Sequence, residues 1–450
     1  MAHPDWVLKF KLKNTDIRCI RGKYYLYATT SKWCPEKGRT KKVTVKYIGS
    51  ITEEHGLIPA GMVKKGRVPQ GESRIKNVNL KEMRGFMDTF ESLEDPRSSR
   101  NQLYTMDEIL FCALCAVICG AEGFEDMEDF GTSKSVFLKM YFPYENGTPS
   151  DDTFRRFFRS LNPEKFEELF RQWANDIADR VGAKVISIDG KCSRRSYDGK
   201  ESMLHRVSAF ASEARLVLGQ SKVDDKSNEI TAIPKLLEWL DIKGHIITID
   251  AMGCQYSIAD LIQSKEGDYV LALKGNQSSL SEDVSLYFEE GKIQKPEPFI
   301  DYDKGHGRIE TRTCCVVKDV QWLKDRHPKW ASIQSIIQVK SKREIKEKGS
   351  EETRYYISSL INPKPQEALK AIGSHWAIEN TLHWTLDMSF NEDYSRIRKQ
   401  NASHIMAILR HAALNLLQRA KTQRQSIKRL RKIAGWDILA LQSILSQKIS

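Results

Sequence analysis

Lys184-Val-Ile-Ser-Ile-Asp189 and His245-Ile-Ile-Thr-Ile-Asp250 decide how this chain folds. Each is a short apolar run that stops at an aspartate. Such runs read as central strands of a sheet covered on both faces. Working outward, residues 205–212 and 214–219 follow the first run at hairpin spacing. Residues 229–240 and 256–264 carry helical patterns, and Asp268-Tyr-Val-Leu-Ala-Leu-Lys274 is a further strand. The expected order is β-β-β-α-β-α-β, an α/β layered pattern. Residues 281–360 are mixed, with strands expected at 310–317, 332–340 and 352–359, and residues 364–386 form a long helix.

The chemistry follows from the strand ends, where ligands of open α/β sheets gather. If the two runs are neighbours, Asp189 and Asp250 lie side by side, and adjacent anions repel unless a proton or a cation separates them. Mg²⁺ does this with few carboxylates while substrate oxygens and water complete its shell. A third carboxylate would complete a two-metal site for in-line phosphoryl transfer. The candidate is Glu379 in His375-Trp-Ala-Ile-Glu379-Asn380-Thr-Leu-His383-Trp-Thr-Leu-Asp387. His375, Glu379, His383 and Asp387 recur every four residues, so they form one polar stripe on a helix, with Trp376, Ile378, Leu382 and Leu386 on the apolar side. An exposed, salt-bridged stripe is the plainer alternative. A zinc site on His375, Glu379 and His383 is disfavoured, because residues eight apart lie about 12 Å apart along the axis. Lys191, Arg194 and Arg195 follow Asp189, Lys274, Asn276 and Gln277 follow the last strand, and His306 and Arg308 lie in the mixed segment. All are placed to grip phosphate and sugar oxygens.

Lys and Arg number 71 against 59 Asp and Glu in 450 residues, a formal charge of +12, which makes nucleic acid the leading partner. Residues 1–76 hold 17 basic and 6 acidic residues, and residues 396–450 hold 12 and 1, so the ends are basic and the centre is acidic. A hydrophobic share of 40% excludes a mostly disordered chain. The longest apolar run, residues 109–119, is far short of the roughly 20 needed to cross a bilayer, so no membrane is expected. The opening Met1-Ala-His-Pro-Asp5 lacks a signal-peptide profile, and the nine cysteines fit reduced thiols, so the expected location is cytoplasmic.

Five regions are expected. Residues 1–60 form a small basic β module, with strands at 6–13, 23–30 and 42–47. Around its turn, Lys37, Arg39, Lys41, Lys42 and Lys46 mix with Tyr24, Tyr25, Tyr27 and Trp33, which serve either DNA contact or the module's own core. A linker covers 61–80, its Gly- and Pro-rich composition starting at Gly56. A helical region covers 81–180; there Cys112, Cys115 and Cys119 share one face and read as core rather than as zinc ligands. In the helix after Ser150, Arg155, Arg156 and Arg159 lie opposite Phe154, Phe157, Phe158 and Leu161, the pattern of an amphipathic helix or of a DNA-reading one. The catalytic region covers 181–395, and 396–450 is a basic helical C-terminal region.

Several blocks together resemble the insertion-sequence transposases of the ISAs-one family. They are Ile188-Asp-Gly-Lys191, Lys226-Ser-Asn-Glu-Ile230, Thr248-Ile-Asp-Ala-Met-Gly-Cys-Gln255, residues 268–277, His306-Gly-Arg-Ile-Glu-Thr-Arg312, residues 375–384 and Glu392-Asp-Tyr-Ser-Arg-Ile-Arg398. The resemblance spans about residues 85–420. It implies an RNase H-like core with a β-rich insertion at about 281–360, a DDE triad of Asp189, Asp250 and Glu379, and two Mg²⁺ or Mn²⁺ ions. It further implies cleavage at element ends, strand transfer into target DNA, and a homodimer on double-stranded DNA. Lys191, Arg194, Lys274, Asn276, Gln277, His306, Arg308, His375, Asn380 and His383 would position that DNA. Other insertion-sequence transposases carry Tyr-x2-Arg-x3-Glu-x6-Lys around the Glu; here His375 and Leu386 take the Arg and Lys places. An RNase H-like nuclease without strand transfer and a domesticated DNA-binding protein are the alternatives.

Overall fold

The computed structural model describes residues 4–20, 23–34, 39–53, 56–59, 85–98, 102–193, 203–223, 228–289, 296–305, 308–345, 348–422 and 425–446. The chain divides into two compact units, Met1–Val78 and Asn79–Ser450.

The first unit is an antiparallel meander of β1 (Thr15–Ile20), β2 (Lys23–Cys34), β3 (Arg39–Thr52) and β4 (Gly56–Pro59). Alternation along β2 sends Leu26 and Tyr24 to a core of Val7, Ile17, Ile51, Trp6 and Phe10. Tyr27 faces the other way, with the Arg18 guanidinium 4.8 Å from its ring centre. Residues 6–13 are not a strand. Pro4 and Asp5 open a short helix, Asp5–Leu8, that turns Val7 into the core. Residues 56–59 are not linker either, because they pair with β3. Lys37 and the side chains of Trp33, Arg39, Lys41 and Lys42 lie outside the described residues, as does the remainder of the expected linker.

The second unit is built on one nine-stranded mixed sheet. Its strands are β5 (Val185–Ser193), β6 (Leu204–Ala211), β7 (Leu216–Lys222), β8 (Ile246–Ile249), β9 (Asp268–Leu273), β10 (Phe299–Gly305), β11 (Arg308–Val317), β12 (Ser335–Ile345) and β13 (Lys348–Ser358). They lie in the order β10-β11-β12-β13-β9-β8-β5-β6-β7, with β5, β8 and β9 parallel. The parallel strands carry the apolar runs, and Val185, Ile186, Ile188, Ile247, Ile249 and Leu271 are all buried. The helices Glu229–Trp239 and Tyr256–Ser264 make the crossovers into β8 and β9. The segment between β9 and the next long helix adds four antiparallel strands to the same sheet, because β13 pairs with β9 from Tyr355↔Leu273 to Ser358↔Val270.

Around the sheet, helices close the core. Met106–Cys119 starts with a reciprocal cap between Thr105 and Glu108 and ends at Gly120, whose φ of 121° suits glycine. Cys112 and Cys115 are buried inside it, and burial pushes the Cys112 thiol up to about 12, away from the thiolate a metal would need. In Asp151–Ser160, Phe154, Phe157 and Phe158 are buried, while Arg155 pairs with Glu125 and Asp151, an amphipathic helix. Ala402–Ala420 is buried almost all round, with Arg410, His411 and Asn415 among its buried residues, and packs against β7 and the helices Met106–Cys119 and Pro163–Val181. The basic helix Ile427–Trp436 also packs inward: Arg431 is buried and donates to the carbonyls of Val117, at 2.8 Å, and Ser389.

A buried ion pair ties the sheet to the chain beyond Glu379. Arg206 on β6 donates to Glu392 at 2.7 Å, and both side chains are 1% exposed. Arg410 lies 3.8 Å from the other Glu392 oxygen. Burial alone would raise the Glu392 carboxyl, but Arg206 and Arg410 hold it down at about 2. Its unfolded-state value is near 4.5, so the stability it contributes is full above that pH and is lost as pH falls toward 2. Glu392→Gln leaves two buried guanidinium groups uncompensated and should cost about 3–5 kcal/mol in urea denaturation. The variant should also lose less further stability than the wild type between pH 4.5 and 2; parallel acid limbs would contradict the assignment.

Candidate catalytic site

Strands β5 and β8 run parallel in the register Val185↔Ile246 to Ile188↔Ile249. The next residue on each is an aspartate. Asp189 and Asp250 therefore stand abreast, at the spacing of neighbouring strands, about 4.8 Å. Asp189 Oδ1 accepts the Gly190 N–H at 2.9 Å, and Asp250 Oδ1 accepts the Gly253 N–H at 3.2 Å. Asp189 is the crowded one. Burial, then the carboxylates of Asp250, Glu229 and Glu379, push its carboxyl up to about 7 against the Gly190 amide.

Glu379 reaches this place on an interrupted helix. Pro365–Ala377 begins with Pro365 at its first turn and packs across β5, β8 and β11. Ile378–His383 is a π-helical turn, and Trp384–Phe390 resumes the α-helix. On an unbroken α-helix, residues spaced by four drift about 40° per step. The wider π turn takes up that drift, so His375, His383 and Asp387 all turn toward the sheet. π turns of this kind recur at functional sites. His375 Nδ1 lies 3.3 Å from Thr248 Oγ1, and burial holds its imidazole below the usual range against the pull of Asp250. His383 Nδ1 lies 3.7 Å from Asp189 Oδ2, and burial, with Lys191 and Arg206, pushes it down to about 3, so it stands neutral beside the aspartate. Asp387 takes the Lys191 ammonium on both oxygens at 2.7 Å, and Asp393 lies 3.6 Å from it. Ile378, Leu382 and Leu386 are buried, while Glu379 and Asn380 are exposed.

Asp250 and Glu379 line one cleft of about 680 Å³, with Lys274, His375, Trp376 and Asn380 around them. Its far wall comes from β11–β13. There Glu310 is buried and holds Arg312 at 3.2 Å, while Arg312 and Arg354 flank the Trp376 ring at 5.3 and 5.1 Å. Lys274 is exposed at the cleft. The amides expected to meet DNA also hold the chain: Asn276, itself exposed, donates to the Ala251 carbonyl at 2.5 Å and Gln277 to the Cys254 carbonyl at 3.0 Å, which fixes the loop after Asp250. Lys191 likewise ties β5 to the Glu379 helix. Arg308 opens β11, but its side chain, Arg194 and His306 lie outside the described residues.

Sequence reasoning missed Glu229. A Cβ at Gly190 would come within 1.9 Å of Glu229 Oε1, so the glycine makes room for this carboxylate, which His205 Nε2 holds at 2.8 Å. The available signal was an acidic residue opening a helix inside the block Lys226-Ser-Asn-Glu-Ile230. Arg312 and Trp376 lie in blocks that carry the family resemblance, but nothing in the sequence says that they meet each other and Arg354; strand pairing and helix packing do that.

The donors crowded here are carboxylate oxygens, the set preferred by hard divalent cations. Among the described residues, no three His, Cys, Asp or Glu side chains stand in ligating positions about one point. His375 and His383 face different partners, Thr248 and Asp189, so they do not converge with Glu379 on a zinc site.

Comparison with known proteins gives the family. Residues 181–416 match the family model described as "Transposase DDE domain", and residues 87–174 match the one described as "DDE_Tnp_1-associated". The chain is 40% identical over 373 residues to the "H repeat-associated putative transposase YhhI" of Escherichia coli (strain K12), covering 81% of this chain and 98% of that protein. It is 39% identical over 371 residues to the "Putative transposase YncI" of Escherichia coli O157:H7, covering 81% and 95%. It is 44% identical over 235 residues to the "H repeat-associated putative transposase YbfD" of Escherichia coli (strain K12), covering 51% and 93%. The chain therefore belongs to the DDE transposases, as a bacterial insertion-sequence enzyme with an RNase H-like α/β core.

Proposed function

We propose that Asp189, Asp250 and Glu379 are the catalytic triad and that the enzyme cuts element ends and joins them to target DNA. The observation that carries this reading is the pair Asp189, midway along β5, and Asp250, just past the end of β8, standing abreast, with Glu379 opening into the same cleft as Asp250. Two divalent ions, Mg²⁺ or Mn²⁺, held by these carboxylates would stabilise the attacking and leaving oxygens of an in-line displacement. In the first step, a water oxygen bonds to the scissile phosphorus and the P–O3′ bond breaks, leaving a 3′-hydroxyl on the element. In the second, that 3′-oxygen attacks a target phosphodiester and displaces the target's own 3′-oxygen. In each step the nucleophile, water and then the 3′-hydroxyl, gives up a proton to solvent and the departing 3′-oxygen takes one up from it.

The protein's part is placement. Lys274 and Asn380 face the cleft and hold phosphate oxygens, and Arg308, His306 and Arg194 extend that grip. His383 keeps Asp189 oriented, and His375 braces Thr248 behind Asp250. Lys191 serves as a strut rather than a phosphate ligand, because its ammonium is spent on Asp387 and Asp393. Residues 1–60 and the helical region 81–180 bind element ends. A homodimer in the cytoplasm brings two ends together for concerted cutting. No described helix is long and apolar enough to cross a membrane.

Asp189→Asn, Asp250→Asn and Glu379→Gln should each reduce cleavage of a labelled end-containing duplex to background without weakening duplex binding. A variant that cuts at the wild-type rate leaves the triad. Among products, cut ends joined to a second DNA support the full reaction, cut ends alone make the enzyme a nuclease, and binding without cutting makes it a domesticated binder. Lys191→Ala should slow cleavage about a hundredfold by loosening the Glu379 helix, with DNA affinity and its salt dependence unchanged; a shallower salt dependence would return Lys191 to the phosphate ligands. Ca²⁺ in place of Mg²⁺ should support duplex binding but not cutting, since the larger ion tolerates looser geometry. Brisk cleavage in Ca²⁺ would contradict this.

A further inference from the structure

We infer that a second cleft, between the helix Asp151–Ser160 and residues 391–399, grips the DNA backbone outside the catalytic cleft. It has a volume of about 570 Å³ and shares no lining residue with the catalytic cleft. Its wall carries five cations, Arg155, Arg159, Arg396, Arg398 and Lys399, against Glu122 and Glu125.

The two acids are already engaged. Glu125 takes Arg155 at 2.7 Å, and Glu122 accepts the Asn391 side-chain amide. Arg159, Arg396 and Lys399 make no ion pair among the described residues, and Arg396 and Lys399 are exposed. Like charges gathered on one short segment repel each other, so something must hold them there. The inner side of the segment does. Glu392 sits between Arg206 and Arg410, Ser395 Oγ accepts from Arg410 at 3.0 Å, and Asp393 faces Lys191. Asn391 and Gln400 bracket the segment in the left-handed region, at φ 51° and 52°. These anchors leave Tyr394, which is 63% exposed, and Arg396 and Lys399 facing outward.

The chemistry selects a polyanion. The wall offers guanidinium and ammonium groups, suited to phosphate oxygens, and backbone contacts of this kind set register without reading sequence. One continuous run of chain joins Glu379 of the catalytic cleft to residues 391–399 of the second, so a duplex engaged at the first is the occupant we place in the second. The inference rests on DNA being the partner of this transposase.

The test is the salt dependence of affinity of the full chain for a fluorescein-labelled, random-sequence duplex. In Arg396→Ala/Lys399→Ala, two phosphate contacts are lost, so the log–log salt slope should become shallower by about 1.8 and affinity should fall about tenfold at physiological salt. Arg396→Lys/Lys399→Arg, which keeps both charges, should retain the wild-type slope. Lys139→Ala/Lys222→Ala removes the same net charge from two exposed sites elsewhere and should leave the slope near wild type. Thermal melting of each variant, matched to the wild type, separates lost contacts from lost structure. The inference is overturned if the Arg396/Lys399 double variant keeps the wild-type slope, or if the Lys139/Lys222 pair changes it equally. A wild-type chain that fails to bind duplex at low salt would instead overturn DNA as the partner, and this cleft with it.

Discussion

Carboxylates that repel one another must nevertheless be held together, and much of the second unit is organised around that requirement. Asp189 and Asp250 stand where the parallel pairing of β5 and β8 stops, Glu229 fills the space over Gly190, and Glu379 comes in from a distant helix. The cost of assembling them is visible in Asp189, whose proton affinity is raised by burial and by its three neighbours. A sheet covered on both faces can bear this, because its apolar strands and crossover helices contribute the stability that the acidic end gives up.

The helix that brings in Glu379 shows how the placement is kept. It spans the sheet, passes through a π turn, and is fastened at its far end by the Lys191–Asp387 pair. Just beyond it, Glu392 is locked between Arg206 and Arg410 in the interior. Buried charge of this kind contributes little net stability compared with a well-packed apolar core, but it admits few alternative arrangements. One run of chain, residues 375–399, thus carries Glu379, the aspartate that receives the Lys191 strut and the anchors of the second cleft. This explains how a loop that exposes two cations, Arg396 and Lys399, keeps a defined shape.

The strand content of the catalytic region was legible because its signals are local. Apolar runs ending in aspartate, hairpin spacing and helical periodicity mark β5 to β9 and their crossovers. The element at residues 6–13 was misread because Pro4 and Asp5 start a helix that β-rich composition hides. β10 was not anticipated, since Phe299-Ile-Asp-Tyr-Asp-Lys-Gly305 gains its strand character from pairing with β11. Among the candidate site residues, Asn276, Gln277 and Lys191 have the residue types of phosphate ligands, but residue type does not say which way a side chain turns. Their partners are carbonyls and carboxylates brought in by other elements.

By itself, the sequence determined which segments are strands and helices in the core, that two aspartates close the apolar runs of two central strands, and that Glu379 is one of four polar residues spaced by four. These depend on side-chain order along a few residues, and the backbone periods of helix and strand convert that order into faces. Only the tertiary structure decided that Glu229 joins Asp189, that Lys191 is a strut, that Trp376 is flanked by two arginines, and that residues 391–399 present a basic edge. Each of these depends on groups far apart in the chain meeting at a particular distance. That distance is set by strand register and helix packing, and composition and periodicity do not encode it.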